Sequence, residues 1–248
     1  MSDHDLVRIS TSGATRLIVL DRPDKRNALT RAMYATLSEA IREADADESI
    51  ASVVLSGEGK GFCAGNDLVD FLEDPPTGED SSVFRFLRTL IEVRVPLIAA
   101  VHGDCVGIGA TMLLHCDFVV ADESAVLSFP FVALGLVPEA ASSLLLPRIA
   151  GQRLAAELLL LGQPVASRAA LEAGLLTNVV PAGGQVHAAL ALASRLAALP
   201  REAVRATRGL LHTPDEAPAD RMRREADLFV ERLASPEFAE LAKRALGR

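Results

Sequence analysis

The chain lacks an excess of basic residues. Lys and Arg number 25 against 33 Asp and Glu, a net charge of −8, with pI near 5.2. That balance argues against general nucleic-acid binding, which needs basic patches, though a local Arg/Lys cluster can still take one anionic ligand. Cysteines are three, Cys63, Cys105 and Cys116, with no CxxC. The odd count, and a stretch "MSDHDLVRIS" unlike a secretory or transit peptide, lead us to expect a reducing cytoplasmic setting. No apolar run reaches membrane-spanning length without Pro, Gly or a charge, so no membrane partner is expected. Nucleotide and nucleophile signatures are also missing. "GEGKGF" has neither the spacing nor the Ser/Thr of a P-loop. GxGxxG fails because Met112 stands where the third glycine belongs after Gly107 and Gly109, and no GxSxG occurs. The five histidines, His4, His102, His115, His187 and His212, show no paired metal spacing. They read as surface or structural residues, and no metal is expected.

What is present is a long apolar-rich chain. With 248 residues, half of them hydrophobic, it can bury a sizeable core in one large domain or a domain with an appendage. "RLIVLDRP" predicts a strand over Arg16 to Leu20. "LTRAMYATLSEAIREADAD" predicts a helix capped by Thr30, with Leu29, Met33, Leu37 and Ile41 on one face. "ASVVLSGEGK" is a second apolar strand. "PLIAAVHGDCVGIGATMLLHCDFVVA" reads as strand, glycine loop, short helix, strand, and a last strand is expected near Ala125 to Phe129. Strands alternating with helices imply an α/β architecture. After Gly151 the pattern turns helical, interrupted by the extended "TNVVP". The division is therefore a core over residues 1–190 and a helical region over 191–248. The acidic stretch Asp70 to Asp80, with Pro75-Pro76-Thr77-Gly78, reads as a mobile loop.

Two glycine-rich turns each follow a buried strand: "GFCAGNDL", Gly61 to Leu68, and "HGDCVGIGA", His102 to Ala110. Each can present one backbone N–H to a shared carbonyl oxygen, which would make an oxyanion hole. Each can equally be a tight turn of structural origin, and the residues alone leave both readings open.

"GFCAGNDL" together with "AAVHGDCVGIGATMLLHCDFVVA" resembles the signature of the enoyl-CoA hydratase/isomerase family, the crotonase superfamily. "LDRPDKRNALT" resembles the family's CoA-binding segment, and "LSFPFVALGLVPEAASSLLLPRIAG" the segment after its second loop. The blocks cover most of residues 16 to 180 in the expected order. The resemblance implies a spiral of repeated ββα units with a C-terminal helical trimerisation region, and hence a homotrimer or a dimer of trimers. It implies an acyl-CoA thioester as substrate, with CoA as part of that substrate and no separate cofactor.

By the same resemblance, the N–H groups of Asn66 and Ile108 form the oxyanion hole, with Ala64 and Gly107 beside them. The family often has glycine where Ile108 stands. Ala28 matches a backbone position that contacts CoA. Lys25 and Arg26 can meet phosphate as point charge and fork, or be an ordinary exposed basic pair. The two glutamates of the family's hydratases are replaced here by Thr111 and Phe131, neither of which transfers a proton at neutral pH. Glu139, in "GLVPEAASS", matches the catalytic acid of the isomerases that move a double bond from C3 to C2. Its apolar neighbours would raise its pKa toward a useful range, although a glutamate opening a helix would serve capping equally well. Asp67 reads as a cap of the next helix or a catalytic group, and Asp117 as structural. The expected activity is a 3-enoyl-CoA to 2-enoyl-CoA isomerisation. The alternatives are hydration by another residue set, another thioester reaction such as hydrolysis or decarboxylation, or acyl-CoA binding without turnover.

Overall fold

The computed structural model describes residues 6–212 and 216–246. In chain order the elements are β1 (Val7–Ser12), β2 (Thr15–Leu20), α1 (Arg31–Ala46), β3 (Ser52–Gly57), α2 (Leu68–Glu73), α3 (Ser82–Glu92), β4 (Leu97–Val101), β5 (Asp104–Val106), α4 (Ile108–Thr111), β6 (Phe118–Asp122), β7 (Val126–Ser128), α5 (Ser142–Ala150), α6 (Gln152–Leu160), β8 (Val165–Ala166), α7 (Ser167–Glu172), β9 (Asn178–Val180), α8 (Gln185–Ala197), α9 (Arg201–His212), α10 (Pro218–Leu233) and α11 (Pro236–Ala245). The chain forms two compact units, Met1–Arg195 and Leu196–Arg248, dividing near the end of α8.

The first unit is built on a six-stranded sheet in the order β1-β2-β3-β4-β6-β9. β1 pairs with β2 antiparallel, and every later neighbour is parallel. Parallel strands need crossovers, and the helices between them provide these. The two-residue strand period explains the core. Ile18, Leu20, Val53, Leu55, Leu97 and Ala99 join one hydrophobic cluster with the α1 residues Met33, Leu37 and Ile41. Val54, Ile98, Ala100 and Val120, on the other face of the sheet, are buried as well, so the central strands read as continuous apolar runs. A second sheet, β5-β7-β8, holds the next segment of the site.

α1 forms where the apolar spacing places it, and Thr30 caps it by accepting from the Met33 N–H at 3.3 Å. The mixed α/β architecture and the C-terminal helices α10 and α11 match the expected fold class. The stretch read as a loop from Asp70 to Asp80 needs correction, since its first four residues lie in α2. Asp67 starts that helix by accepting from the N–H groups of Val69 and Asp70. β1, the three-residue β5 and α3 are further elements that the sequence patterns do not announce. β5 exists through pairing with β7, and so depends on a distant partner more than on its own three residues.

Candidate active site

"GFCAGNDL" is sewn to chain on both sides. Towards the second glycine loop, Phe62 N–H donates to His102 O at 2.8 Å, Cys63 N–H to Asp104 O at 3.0 Å, and Val106 N–H returns to Cys63 O at 2.9 Å. Towards the Lys25–Leu29 segment, Ala64 N–H donates to Arg26 O, Leu29 N–H to Gly65 O and Asp67 N–H to Leu29 O, all within 2.8–2.9 Å. The glycines permit this closeness. A Cβ on Gly109 would lie 2.5 Å from the Cys63 carbonyl oxygen, and one on Gly65, at φ +98°, would lie 3.1 Å from the Val106 oxygen.

The N–H groups of Asn66 and Ile108 bond to no acceptor among the described residues, while Asp67 N–H and Gly107 N–H beside them are committed. Ile108 is the first residue of α4, where helix geometry leaves N–H groups without an intrahelical partner. Gly107 supplies the φ of +55° that turns the chain into α4, its N–H held by Ser128 O at 3.0 Å.

Glu139 meets the other end of α4. Its Oε1 accepts from the hydroxyl of Thr111, the last residue of α4. Burial pushes the Glu139 carboxyl up to about 7, and the Thr111 bond opposes this only in part. Tyr34, from the buried face of α1, donates its hydroxyl to Asn66 Oδ1. Its acidity is suppressed first by burial, then by the charge of Glu139 and then by Cys63. The Cys63 thiol is pushed up to about 12 by burial, so it is neutral and acts as packing beneath the loop.

Asp67 is a cap and a tie. Beyond α2, it meets Arg22 Nη1 at 2.6 Å, and the same Nη1 donates to Ala28 O at 3.0 Å. Burial pulls its pKa up, but the Arg22 hydrogen bond and charge and the α2 N–H groups outweigh that and hold it below the usual carboxylate value. An ionised, fully engaged carboxylate is poorly suited to carry protons. Asp117 is structural in the same sense, accepting from Leu97 N–H at 2.8 Å.

A groove of about 530 Å³ runs past Lys25, Arg26, Ala28, Ala64, Asn66 and Leu68. It thus unites the segment expected to meet CoA with the first glycine loop. Arg26 spends one nitrogen on Asp104 at 3.0 Å. Gly107 abuts Gly65 from behind, with 3.9 Å between an added Cβ and the Gly65 Cα, and Phe131 packs into the hydrophobic core, 5% exposed. A larger hollow of about 1110 Å³ lies along β1 and β2 near His102. It contains neither the Asn66 nor the Ile108 N–H group; the smaller groove is lined by Asn66 but not by Ile108 or Glu139. Among the described residues no group of three His, Cys, Asp or Glu is arranged to hold a metal ion, and no helix is long and apolar enough to cross a membrane.

The sequence reading missed Asn27 and Tyr34. Asn27, at φ +59° and fully buried, accepts from Arg22 N–H and donates to the carbonyls of Glu58, Gly61 and Phe62. An asparagine between "KR" and "AL" where a turn is needed was the available signal. Tyr34, the sole tyrosine of the chain, sits one residue from the apolar stripe of α1.

Residues 10–241 match the enoyl-CoA hydratase/isomerase family. The chain is 38% identical over 191 residues to 1,2-epoxyphenylacetyl-CoA isomerase of Escherichia coli K12, covering 74% of this chain and 72% of that one. It is 34% identical over 232 residues to an enoyl-CoA hydratase of Alternaria alternata (92% and 78% covered), and 36% identical over 183 residues to the peroxisomal enoyl-CoA delta isomerase 3 of Mus musculus (71% and 57%). Among solved structures, an enoyl-CoA hydratase from Polaromonas sp. JS666 superimposes with a TM-score of 0.90 at 31% identity, covering 97% of this chain and 96% of that one. OdaA of Pseudomonas aeruginosa does so with 0.82 at 41% identity, covering 98% and 100%. The chain belongs to the enoyl-CoA hydratase/isomerase family, within the crotonase superfamily.

Proposed function

We propose that the protein is an enoyl-CoA isomerase that shifts a double bond from C3 to C2 of an acyl-CoA thioester. One observation supports the reading: the buried Glu139 carboxyl accepts from Thr111, the last residue of the short helix whose first residue, Ile108, has an unpaired N–H. Thr111 and Phe131 stand where the two acid–base glutamates of a hydratase are expected. The groove along Lys25, Arg26 and Ala28 takes the CoA portion, with Lys25 and the remaining nitrogens of Arg26 available to phosphate oxygens.

In the proposed reaction the thioester oxygen of a 3-enoyl-CoA accepts from Asn66 N–H and Ile108 N–H. The Glu139 carboxylate takes a proton from C2. The electron pair delocalises through the thioester, and the resulting dienolate oxygen is held by the same two donors. Glu139 then returns the proton at C4, leaving the double bond between C2 and C3. Atoms and charge balance, and the carboxylate is regenerated. Fixed dipoles of this kind each contribute about 3–4 kcal/mol to a transition state. A carboxyl poised at about 7 gives and takes a proton with little penalty at neutral pH. Tyr34 holds the Asn66 side chain, and the Arg22–Asp67 pair ties that loop to the CoA segment.

Turnover assays with 3-enoyl-CoA and 2-enoyl-CoA test the reading. The protein should convert the first and add no water to the second. Glu139→Gln should keep its fold and acyl-CoA affinity while its rate falls about 10²-fold or more. Near-full rate in that variant removes Glu139 from the mechanism. Tight binding with neither turnover leaves an acyl-CoA binder.

A further inference from the structure

Glu139 is presented by a backbone that its own sequence does not favour. Ala140 and Ala141 both adopt φ of +53°, the left-handed region in which a Cβ crowds the chain and which glycine and asparagine normally fill. Two such alanines in succession persist only where their surroundings hold them. The turn defers α5 to Ser142, so Glu139 does not open that helix as its neighbours in sequence suggest.

Two carbonyls of the turn are held. The Glu139 carbonyl accepts from Ser142 N–H at 2.9 Å and from its hydroxyl at 2.6 Å. The Ala140 carbonyl lies 2.8 Å from Nε2 of His115. A carbonyl oxygen only accepts, so Nε2 carries the proton. Both residues are buried, and a hydrogen bond in such a site is costly to break without a replacement. The first bond is local to the turn, whereas the second ties it to another element.

His115 ends the 3₁₀ turn Met112–His115, which continues α4 without a break. Ile108, Thr111 and His115 are therefore carried on one short rod. Ile108 gives the rod its free N–H, Thr111 reaches the Glu139 carboxylate, and His115 reaches the carbonyl one residue further on. We propose that His115 is a positioning residue: by holding the Ala140 carbonyl it keeps the left-handed turn that sets the Glu139 carboxylate against Thr111 and the thioester. This rests on Glu139 being the base, as proposed above.

The test compares the wild type with His115→Leu, His115→Gln, Ala140→Gly and the double variant His115→Leu/Ala140→Gly. His115→Leu removes the donor. Its kcat should fall about tenfold to a hundredfold with little change in KM, the scale for a reacting group displaced by about 1 Å. His115→Gln returns an N–H near the position of Nε2 and should recover most of the rate. Glycine adopts the left-handed turn without a clamp, so Ala140→Gly should rescue His115→Leu. Two results overturn the proposal and leave an ordinary core histidine. One is a full rate in His115→Leu. The other is a lost rate that is restored neither by using His115→Gln instead nor by adding Ala140→Gly.

Two readouts need no turnover. Unfolding midpoints of the wild type, His115→Leu, Ala140→Gly and the double variant should be non-additive, with His115→Leu less harmful when combined with Ala140→Gly. The Glu139 carboxyl, followed by infrared titration, should move towards the ordinary glutamate value when the clamp is lost and return in the double variant. Additive midpoints with an unmoved titration overturn the clamp, even if the isomerase assignment stands. If His115→Leu does not fold, His115→Gln against the shorter His115→Asn serves the same comparison. If Glu139→Gln keeps full activity, the isomerase reading fails while these two readouts still decide whether the clamp exists.

Discussion

Glu139 combines a raised pKa with a hydrogen bond to Thr111, and both have consequences for pH dependence. Its carboxyl titrates near 7 in the folded protein against 4.5 for an ordinary glutamate. The folded state therefore binds the proton more tightly than the unfolded chain. The associated stability is fully present below about pH 4.5 and is lost as pH rises through about 7. Melting temperature should fall over that window, and Glu139→Gln should flatten that part of the profile. A profile as steep in the variant as in the wild type would assign the slope to another group. Activity should run the opposite way. A base must be ionised, so kcat/KM with 3-enoyl-CoA should rise through about pH 7 and then level off. A rate insensitive to pH across that range would contradict Glu139 as the base. Glu139 was legible as a candidate from its place in the resemblance and its apolar neighbours. The left-handed pair after it was not, because Ala-Ala carries no turn signal.

At the scale of elements, the site is a junction of loops held by close backbone approach. Gly109 is the tightest point within α4, its missing Cβ facing the Cys63 carbonyl at 2.5 Å and the Cys63 Cβ at 2.8 Å. Gly109→Ala must push the two loops apart, because the obstacle is backbone. We expect about 1–3 kcal/mol of destabilisation, read from the denaturant midpoint, and a large loss of turnover as Asn66 and Ile108 separate. Gly209, inside α9, has nothing within 4 Å of an added Cβ. Gly209→Ala should therefore be neutral or stabilising by up to about 1 kcal/mol. Equal effects at the two positions would show that close approach is not what Gly109 provides. The strand–glycine–helix order of this region was legible. Its pairing was not, because β5 owes its form to β7 and to the first loop.

For the whole molecule, the proposed assembly follows from surface that the chain leaves uncovered. In α10, Phe229 and Val230 are 65% and 63% exposed, and Leu233 and the α11 residues Phe238 and Leu241 are exposed as well. Leu228, next to Phe229 in α10, is half-buried. In the first unit, Leu134, Leu136 and Val137 are exposed close to Glu139 in the chain. Apolar patches of this kind mark contact surfaces, and we propose a homotrimer or a dimer of trimers. Light scattering at micromolar concentration should give three or six times the 26.3 kDa of one chain. A monomeric mass would leave those faces without the proposed role.

The chain by itself determined its elements wherever one period dominates. The buried strands and α1 announce themselves through alternation, through four-residue spacing and through Thr30, because these signals are local and repeat along several residues. It also supplied the candidates for the proposed chemistry, since "GFCAGNDL", "GDCVGIGA" and "VPEAASS" hold the proposed donors and carboxylate. Tertiary structure alone decided which N–H groups stay uncommitted, that Tyr34 meets Asn66, that Phe131 enters the core and that His115 reaches Ala140. Each depends on residues far apart in the chain brought together by the sheet and its crossovers, and no local pattern encodes such a meeting. A hydrogen bond between distant loops or a strained alanine pair exists only because the packed surroundings make every alternative worse.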